Sequence, residues 1–414
     1  MKSSDFTANA QVQSTLQTTL PLLSRKHFSD IIDDEGHQYV DLVMEGGGVL
    51  GIGLVGYTYM LEQVGIRFLR IGGTSAGSIN ALLLAALDRP ERPKAEKILE
   101  ALANLDLFKF VDGSHWTKGL IKAALKKESF WLLIPRGLFV LGHLLKFLGL
   151  NPGDAFLSWL TDILRQNGIN STRELSHRMR TLPKGLRIRG KRPVSVKEAD
   201  CYLALVSADV TTETKVDFPR MAPLYWGDPP TINPALFVRA SMSIPYFFQP
   251  VRLHDIPQGD EASQRWKKLV AYDGKIPQTI TFVDGGIMSN FPIDLFHNHL
   301  SVPAAPTFGA KLGSAHRQSH TTESVGQLGI AAFDSARHCL DYDFIARHPD
   351  YSALVAHIDT TGHKWLNFAM ADSEKLDLFY QGVVAGAQFL KDFDWKGYKQ
   401  TRKLMAAAYR SKGG

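Results

Sequence analysis

The segment Gly73-Thr-Ser75-Ala-Gly77 has residue types and spacing that could do chemistry. It matches G-x-S-x-G, the pattern of a nucleophile elbow, in which a sharp strand-to-helix turn exposes a serine hydroxyl and tolerates only small neighbours. A strand-like apolar segment at 66–71 precedes it, and a helix-like apolar segment at 79–88 follows. This context favours Ser75 as a nucleophile over the alternative, a serine that only caps a helix after a glycine-rich turn.

A second glycine-rich turn, Gly46-Gly47-Gly48, follows a predicted buried strand at 39–45. Consecutive glycines let several backbone N–H groups face one point without obstruction by Cβ atoms. Acyl transfer needs such donors where negative charge develops on the tetrahedral intermediate. We therefore predict that the Gly46–Gly48 backbone forms an oxyanion hole for Ser75.

The same loop also satisfies G-x-G-x-x-G from Gly46 to Gly51, which is the fingerprint of dinucleotide-binding folds. Those folds carry an acidic residue near the end of the second strand, where it holds the ribose. Ile71-Gly72-Gly73 stands at that place instead. A phosphate-binding P-loop is disfavoured too, because no Gly-Lys-Ser/Thr follows. Nucleotide binding is therefore the weaker interpretation of this loop.

A serine nucleophile needs a base to accept its proton, and Asp284 is the best candidate. It ends the apolar run TITFV and is followed by two glycines. A carboxylate held at such a turn and shielded from water can act as a general base, although Asp-Gly is also a common turn pair. Asp273, in AYDGK, is the alternative base, with one glycine and no clear strand before it. None of the 14 histidines lies in a comparably marked turn.

The composition is that of a globular protein: 414 residues, 44% of them hydrophobic and 21% charged. The only two cysteines, Cys201 and Cys339, are far apart, which excludes a cysteine-based zinc site and a disulfide scaffold. The net charge of +6 is compatible with an anionic membrane surface or with nucleic acid. Because the first 20 residues lack the apolar core of a Sec signal peptide, we expect a cytoplasmic protein that can bind peripherally to a membrane.

Two strand–turn–helix units within 39–88 predict a parallel α/β arrangement. We expect one elaborated domain. Residues 1–37 would be an N-terminal extension outside the core, and residues 38–312 the catalytic region. Residues 313–414 would form helices and strands packed on the same domain. Further core strands are predicted at 201–210, 279–286, 307–311 and 353–358.

Residues 95–180 are expected to form a mostly helical insertion. Within it, at 115–150, lysines lead into aromatic and aliphatic residues, a pattern suited to adsorption on anionic lipid. The same pattern fits a buried helical pair over the active-site end of the sheet, and a mobile lid would combine both roles. The apolar run at 130–150 contains several charged residues, so we predict a buried or interfacial segment and not a membrane span.

The glycine loop, the G-x-S-x-G segment and the Asp-Gly-Gly segment, in this order, resemble the patatin-like phospholipase family. Two further stretches look like parts of the family pattern: RASMSIP, from Arg239 to Pro245, and SNFP, from Ser289 to Pro292. The similarity covers roughly residues 38–312. Each motif is weak alone, whereas the ordered set is specific.

The resemblance implies a three-layer α/β sandwich with a mostly parallel central sheet and helices on both faces. It implies Ser75 as nucleophile, Asp284 as base, Gly46–Gly48 as the oxyanion hole, and Gly73 and Gly77 as the glycines of the elbow. The implied reaction is hydrolysis of acyl esters of phospholipids, lysophospholipids or neutral lipids through an acyl-enzyme. No calcium, other metal or cofactor is expected. The expected partners are a lipid ester and a membrane surface, and not nucleic acid; the oligomeric state stays open.

One position departs from the family pattern. Leu50 stands where many members carry Arg or Lys, so a cation from the loop itself is not expected at the oxyanion. Three rival functions stay open: an acyltransferase on the same site, a catalytically inactive lipid-binding module, and a nucleotide-binding oxidoreductase. The presence of both Ser75 and Asp284 favours the active enzyme over the inactive module.

Overall fold

The computed structural model describes residues 1–103, 105–115, 117–119, 142–191, 193–298, 301–313, 319 and 321–412. Its strands in these ranges are β1 (Ile31–Ile32), β2 (Gln38–Met44), β3 (Ile66–Thr74), β4 (Gly149–Asn151), β5 (Arg187–Ile188), β6 (Leu203–Asp209), β7 (Thr214–Phe218), β8 (Tyr246–Phe248), β9 (Val251–Leu253), β10 (Ile280–Asp284), β11 (Thr307–Leu312) and β12 (Val355–Ile358). Its α-helices there are α1 (Ser3–Thr7), α2 (Ala10–Leu23), α3 (Gly51–Gln63), α4 (Ala76–Ala86), α5 (Ala95–Ala103), α6 (Asp154–Gln166), α7 (Thr172–Arg180), α8 (Val196–Ala199), α9 (Ala235–Ser241), α10 (Asp260–Val270), α11 (Val325–Arg347), α12 (Asp372–Asp392) and α13 (Trp395–Lys412).

The main sheet follows the order β12-β11-β2-β3-β6-β10-β9, and β1, β5 and β7 pair beside this path. The first five of these strands run parallel to one another. The strand β10, which carries Asp284, runs antiparallel to both of its neighbours. The predicted α/β fold with a helix-flanked central sheet is confirmed. Along the main strand order, antiparallel pairing is confined to the β6-β10-β9 end, and the short strand β1 also pairs antiparallel with β2.

The strand β3 is longer than the sequence suggested. The apolar pattern predicts an end at residue 71, because Gly72 and Gly73 are typical of a turn. Both glycines instead stay in the sheet, where Gly73 pairs with Met44 on one side and Leu205 on the other. A Cβ on Gly72 would lie 2.7 Å from Leu295 Cδ1, so the Leu295 side chain would have to shift to accommodate it. The turn is thus reduced to Ser75, and α4 begins directly after it.

The C-terminal region packs on the core through close contact between α3 and α12. A Cβ on Gly56 would lie 2.0 Å from the carbonyl oxygen of Phe379, and one on Gly382 would lie 2.0 Å from that of Gly53. The two helix backbones therefore touch where only hydrogen fits. This contact places α12 against the helix that follows the glycine loop.

The expectation that residues 1–37 lie outside the core is wrong. Phe6, Val12 and Leu16 are at most 6% exposed and belong to the main hydrophobic cluster. The Phe6 ring packs edge-on against Phe379 of α12, with 5.5 Å between ring centroids. The apolar positions of α2 recur at helical spacing, but they stand among so many polar residues that the segment as a whole appeared solvated.

The predicted lid or membrane-contacting segment at 115–150 lies largely outside the described residues, which omit 120–141. The described parts of the insertion at 95–180 include the helices α5, α6 and α7, as expected. Within the described ranges, no helix has both the length and the apolar character that crossing a bilayer requires.

Candidate active site

Ser75 occupies the sharp turn between β3 and α4. Its backbone has φ 50° and ψ −118°, a strained conformation for a residue with a side chain. The two motif glycines make the turn possible: a Cβ on Gly77 would lie 2.2 Å from the Met44 carbonyl oxygen, and one on Gly73 would lie 2.4 Å from the carbonyl carbon of Gly77. The structure thus gives G-x-S-x-G the geometry of a nucleophile elbow.

Neighbouring serines hold the backbone of this turn. The Ser75 N–H donates a hydrogen bond of 2.9 Å to Ser241 Oγ, and the Ser241 hydroxyl donates one of 2.5 Å to the Val206 carbonyl. On the other side, the Ser78 hydroxyl donates to the Ser75 carbonyl at 2.6 Å. Ser241 lies in the RASMSIP stretch, so that stretch supports the elbow from outside the motif.

Asp284 is buried at the end of β10, and the Ser75 side chain is among the groups that affect its pKa. Its Oδ1 also accepts the Gly286 N–H at 2.7 Å. Burial raises the pKa of Asp284, while hydrogen bonding from Ser75, the charge of Arg337 and the Gly286 N–H act in the opposite direction. A carboxylate with a raised pKa is a stronger base, which is what proton removal from a serine requires.

The alternative bases lie elsewhere. Asp273 is exposed in the loop after α10, whereas Asp284 is only 5% exposed and its pKa is affected by the Ser75 side chain. His143 packs beside Phe147, and His297 Nδ1 pairs with the Tyr351 hydroxyl at 2.8 Å. Within the described ranges, no histidine hydrogen-bonds to the side chain of the elbow serine or of this aspartate.

The glycine loop lies directly against the nucleophile, since a Cβ on Gly46 would lie 3.1 Å from Ser75 Cβ. However, the Gly46 N–H donates to the Asn290 carbonyl at 2.9 Å and cannot also serve an oxyanion. Gly46 is therefore removed from the predicted donors. In the part of the chain that the structure describes, the N–H groups of Gly47 and Gly48 have no protein acceptor. They remain the candidate oxyanion donors.

A family model for patatin-like phospholipases matches residues 42–297, the range that holds the glycine loop, the elbow and Asp284. The chain belongs to the patatin-like phospholipase family. This membership supports lipid hydrolysis as the general function. The predicted family is confirmed.

One relative of this patatin-like protein is YqhO of Bacillus subtilis (strain 168), described as an uncharacterized protein. The two are 28% identical over 359 residues, covering 86% of this chain and 100% of the relative. Among solved structures, VipD from Legionella pneumophila aligns with a TM-score of 0.43 and 15% identity, covering 89% of this chain and 71% of VipD. ExoU, from the ExoU–SpcU complex of the Pseudomonas aeruginosa type III secretion system, aligns with a TM-score of 0.36 and 16% identity, covering 85% and 51%.

Asn290, in the SNFP stretch, holds the glycine loop of this patatin-like protein in place. Its side-chain amide donates to Glu45 Oε1 at 3.1 Å and to the Gly46 carbonyl at 3.2 Å, while its Oδ1 accepts from Arg337 Nη2 at 2.8 Å. The sequence marked this stretch only through the family resemblance. Arg337 was missed altogether, because it lies in α11 without any recognisable motif around it.

A buried ion pair anchors the start of the glycine loop to β11. Lys311 Nζ lies 2.5 Å from Glu45 Oε1, and the Leu312 N–H donates to Glu45 Oε2 at 2.6 Å. Burial acts to lower the pKa of Lys311, but the adjacent Glu45 carboxylate outweighs it and raises that pKa above its ordinary value. Lys311 therefore stays charged at neutral pH, and its contact with Glu45 fixes the end of β2.

A cavity of about 920 Å³ lies beside the glycine loop. Its lining includes Gly46, Gly47, Arg337 and Trp365, together with several polar side chains of α11. Ser75, only 4% exposed, is not part of this lining. The candidate oxyanion loop therefore separates the cavity from the nucleophile.

Proposed function

We propose that this protein is a serine lipid acyl hydrolase that cleaves carboxylic esters of phospholipids, lysophospholipids or neutral lipids through a Ser75–Asp284 dyad. The proposal is carried by a serine held in a strained elbow and by a buried aspartate whose pKa the Ser75 side chain lowers. The candidate amide donors lie in the adjacent glycine loop. Nucleophile, base and oxyanion donors are the three parts that acyl transfer requires.

In the first half of the reaction, Ser75 Oγ attacks the ester carbonyl carbon while the Asp284 carboxylate accepts the hydroxyl proton. The N–H groups of Gly47 and Gly48 would donate to the oxyanion that forms, and one such donor is typically worth about 3 kcal/mol of barrier. Collapse of the tetrahedral intermediate expels the alcohol, which takes the proton from Asp284. The acyl group is then an ester of Ser75.

In the second half, water replaces the alcohol. Asp284 accepts a proton from the water as its oxygen attacks the acyl carbon, and Ser75 leaves with that proton when the fatty acid departs. The positive end of α4, which begins directly after Ser75, favours the negative charge that develops in both steps. Since amides and a carboxylate supply every role, we propose that calcium is not required.

We further propose that the protein adsorbs to lipid surfaces. Leu145, Phe147 and Leu148 are 72%, 42% and 43% exposed at the end of the predicted lid segment, and Lys146 stands among them. The strand pairing of Gly149 with Tyr246 brings a fourth exposed apolar side chain, at 70% exposure, to the same place. Apolar side chains beside a cation suit the boundary between headgroups and acyl chains.

We expect the purified protein to release free fatty acid from at least one lipid class in the presence of EDTA. A panel of phosphatidylcholine, phosphatidylglycerol, lysophospholipid and triacylglycerol dispersions, read by mass spectrometry with and without a competing alcohol, measures this. If most acyl groups are transferred to the alcohol, the protein is an acyltransferase and not a hydrolase. Absence of acyl release from every lipid and from a short-chain ester would contradict catalysis and favour a lipid-binding module.

A further inference from the structure

The glycine loop from Gly46 to Gly51 carries no charged side chain, yet a guanidinium lies behind it. Arg337 extends from α11, and its side chain is only 11% exposed. Its Nη2 donates to Asn290 Oδ1 at 2.8 Å, and its carbonyl accepts the Asn290 N–H at 3.3 Å. Two separate groups of Asn290 are thus bound by one residue.

This contact determines which way the Asn290 amide points. A guanidinium has donors and no acceptor, so it requires the oxygen of the amide to face it. The amide nitrogen must then face the opposite way, where it donates to Gly46 and Glu45. The Gly46 N–H also donates to the Asn290 carbonyl. Asn290 therefore binds both the N–H and the carbonyl of Gly46. Gly47 and Gly48, the candidate donors, follow directly.

Arg337 also lies beside the loop that holds the base. A Cβ placed on Gly286 would be 2.9 Å from Asp284 Oδ1 and 3.3 Å from Arg337 Nε, so these two atoms are at most about 6 Å apart. The guanidinium additionally packs over the Trp365 ring at 5.2 Å. The carbonyl of this tryptophan accepts the Val49 N–H at 3.0 Å, which supports the far end of the glycine loop.

We propose that Arg337 is a positioning residue of the active site, which joins the oxyanion loop to the aspartate loop through Asn290. This proposal rests on the proposed function. A positive charge at this distance favours the carboxylate form of Asp284 and opposes the effect of its burial. The glycine loop has no charged side chain that could provide this positive charge, whereas Arg337 of α11 has one.

Other charged groups surround the guanidinium. Asp334 Oδ1 lies 3.8 Å from Arg337 Nη1, and Glu45 is paired with Lys311. Burial lowers the pKa of His338, which therefore stays mostly neutral at neutral pH. Asp341 is the group to control for, because burial raises its pKa to about 7 despite hydrogen bonds from the Phe291 N–H and the Ser289 hydroxyl.

The test compares Arg337→Gln and Arg337→Lys with Arg347→Gln, an exposed arginine of the same helix that pairs with Asp343. For Arg337→Gln we expect kcat on a soluble short-chain ester to fall roughly 10- to 100-fold with little change in KM. The acid limb of kcat/KM against pH should move up by about one pH unit, since the base loses a nearby positive charge. Arg337→Lys should restore the position of that limb but only part of kcat, and Arg347→Gln should match wild type.

The Asp341→Asn variant separates the titration of Asp284 from that of Asp341. If the acid limb moves as far between Asp341→Asn and the double variant Arg337→Gln/Asp341→Asn as it does between wild type and Arg337→Gln, the limb cannot come from Asp341. An unmoved acid limb in folded Arg337→Gln would overturn the proposal, as would a loss confined to KM. If Arg337→Gln does not fold, a wild-type kcat in Arg337→Lys would overturn it as well. Failure of the proposed function would show differently, as a Ser75→Ala protein that still hydrolyses the ester.

Discussion

Replacing Ser75 by alanine should reduce ester hydrolysis by roughly 10⁴-fold or more, because removal of a serine nucleophile leaves only binding and oxyanion stabilisation. The fold should persist. Alanine keeps the Cβ atom and the backbone N–H that donates to Ser241, and it bears no more strain at φ 50° than serine does. The measurements are kcat/KM on a soluble short-chain ester and the thermal unfolding midpoint.

Ser263→Ala is the matched control for this substitution, since Ser263 is exposed on α10 and its hydroxyl donates to the carbonyl of Gly259, the residue before that helix. It should retain wild-type turnover. A Ser75→Ala protein with a native unfolding midpoint and wild-type kcat/KM would show that another residue performs the attack.

Replacing Asp284 by asparagine should lower kcat by roughly 10³-fold or more and at the same time stabilise the protein at alkaline pH. Asparagine has nearly the same shape and can still accept the Gly286 N–H, but it cannot take up the serine proton. Since the folded state raises the pKa of Asp284, its stabilising contribution is complete below the unfolded pKa and is lost as pH rises through the folded pKa. Above that pH, wild type carries a buried charge and the variant does not.

The unfolding midpoint of Asp284→Asn should therefore exceed that of wild type at pH 8, and the difference should shrink toward pH 4. Asp273→Asn provides the control, because Asp273 is exposed and should affect neither property. Wild-type turnover in Asp284→Asn together with a large loss in Asp273→Asn would reverse the assignment of the base.

The catalytic elbow could be predicted from the sequence because its requirement is local. Gly73 and Gly77 are needed because backbone atoms lie where their side chains would be. Five consecutive residues are enough to recognise this steric requirement. The same local view misplaced the end of β3, because glycines that pair in a sheet look like glycines that turn. The burial of Phe6 was missed for a related reason, since its partner Phe379 is far away in the chain.

The parts of the site that were missed depend on tertiary contacts. The three glycines of the loop looked equivalent in the sequence, and only the Asn290 carbonyl distinguishes Gly46, whose N–H it accepts. Arg337 lies in α11, and the sequence of this helix contains no pattern that indicates contact with the glycine loop or the aspartate loop. Its position beside Gly286 and Asn290 follows from the packing of α11 against the turn after β10, which no short sequence pattern encodes.

The most direct test of the Ser75–Asp284 dyad is mass spectrometry of the full-length protein after reaction with a fluorophosphonate, which modifies activated serine hydroxyls. We predict one adduct per chain, mapped to Ser75, absent from Ser75→Ala and formed much more slowly by Asp284→Asn than by Asp273→Asn. An adduct on a different residue, or one that persists in Ser75→Ala, would contradict the assignment of Ser75 as the nucleophile.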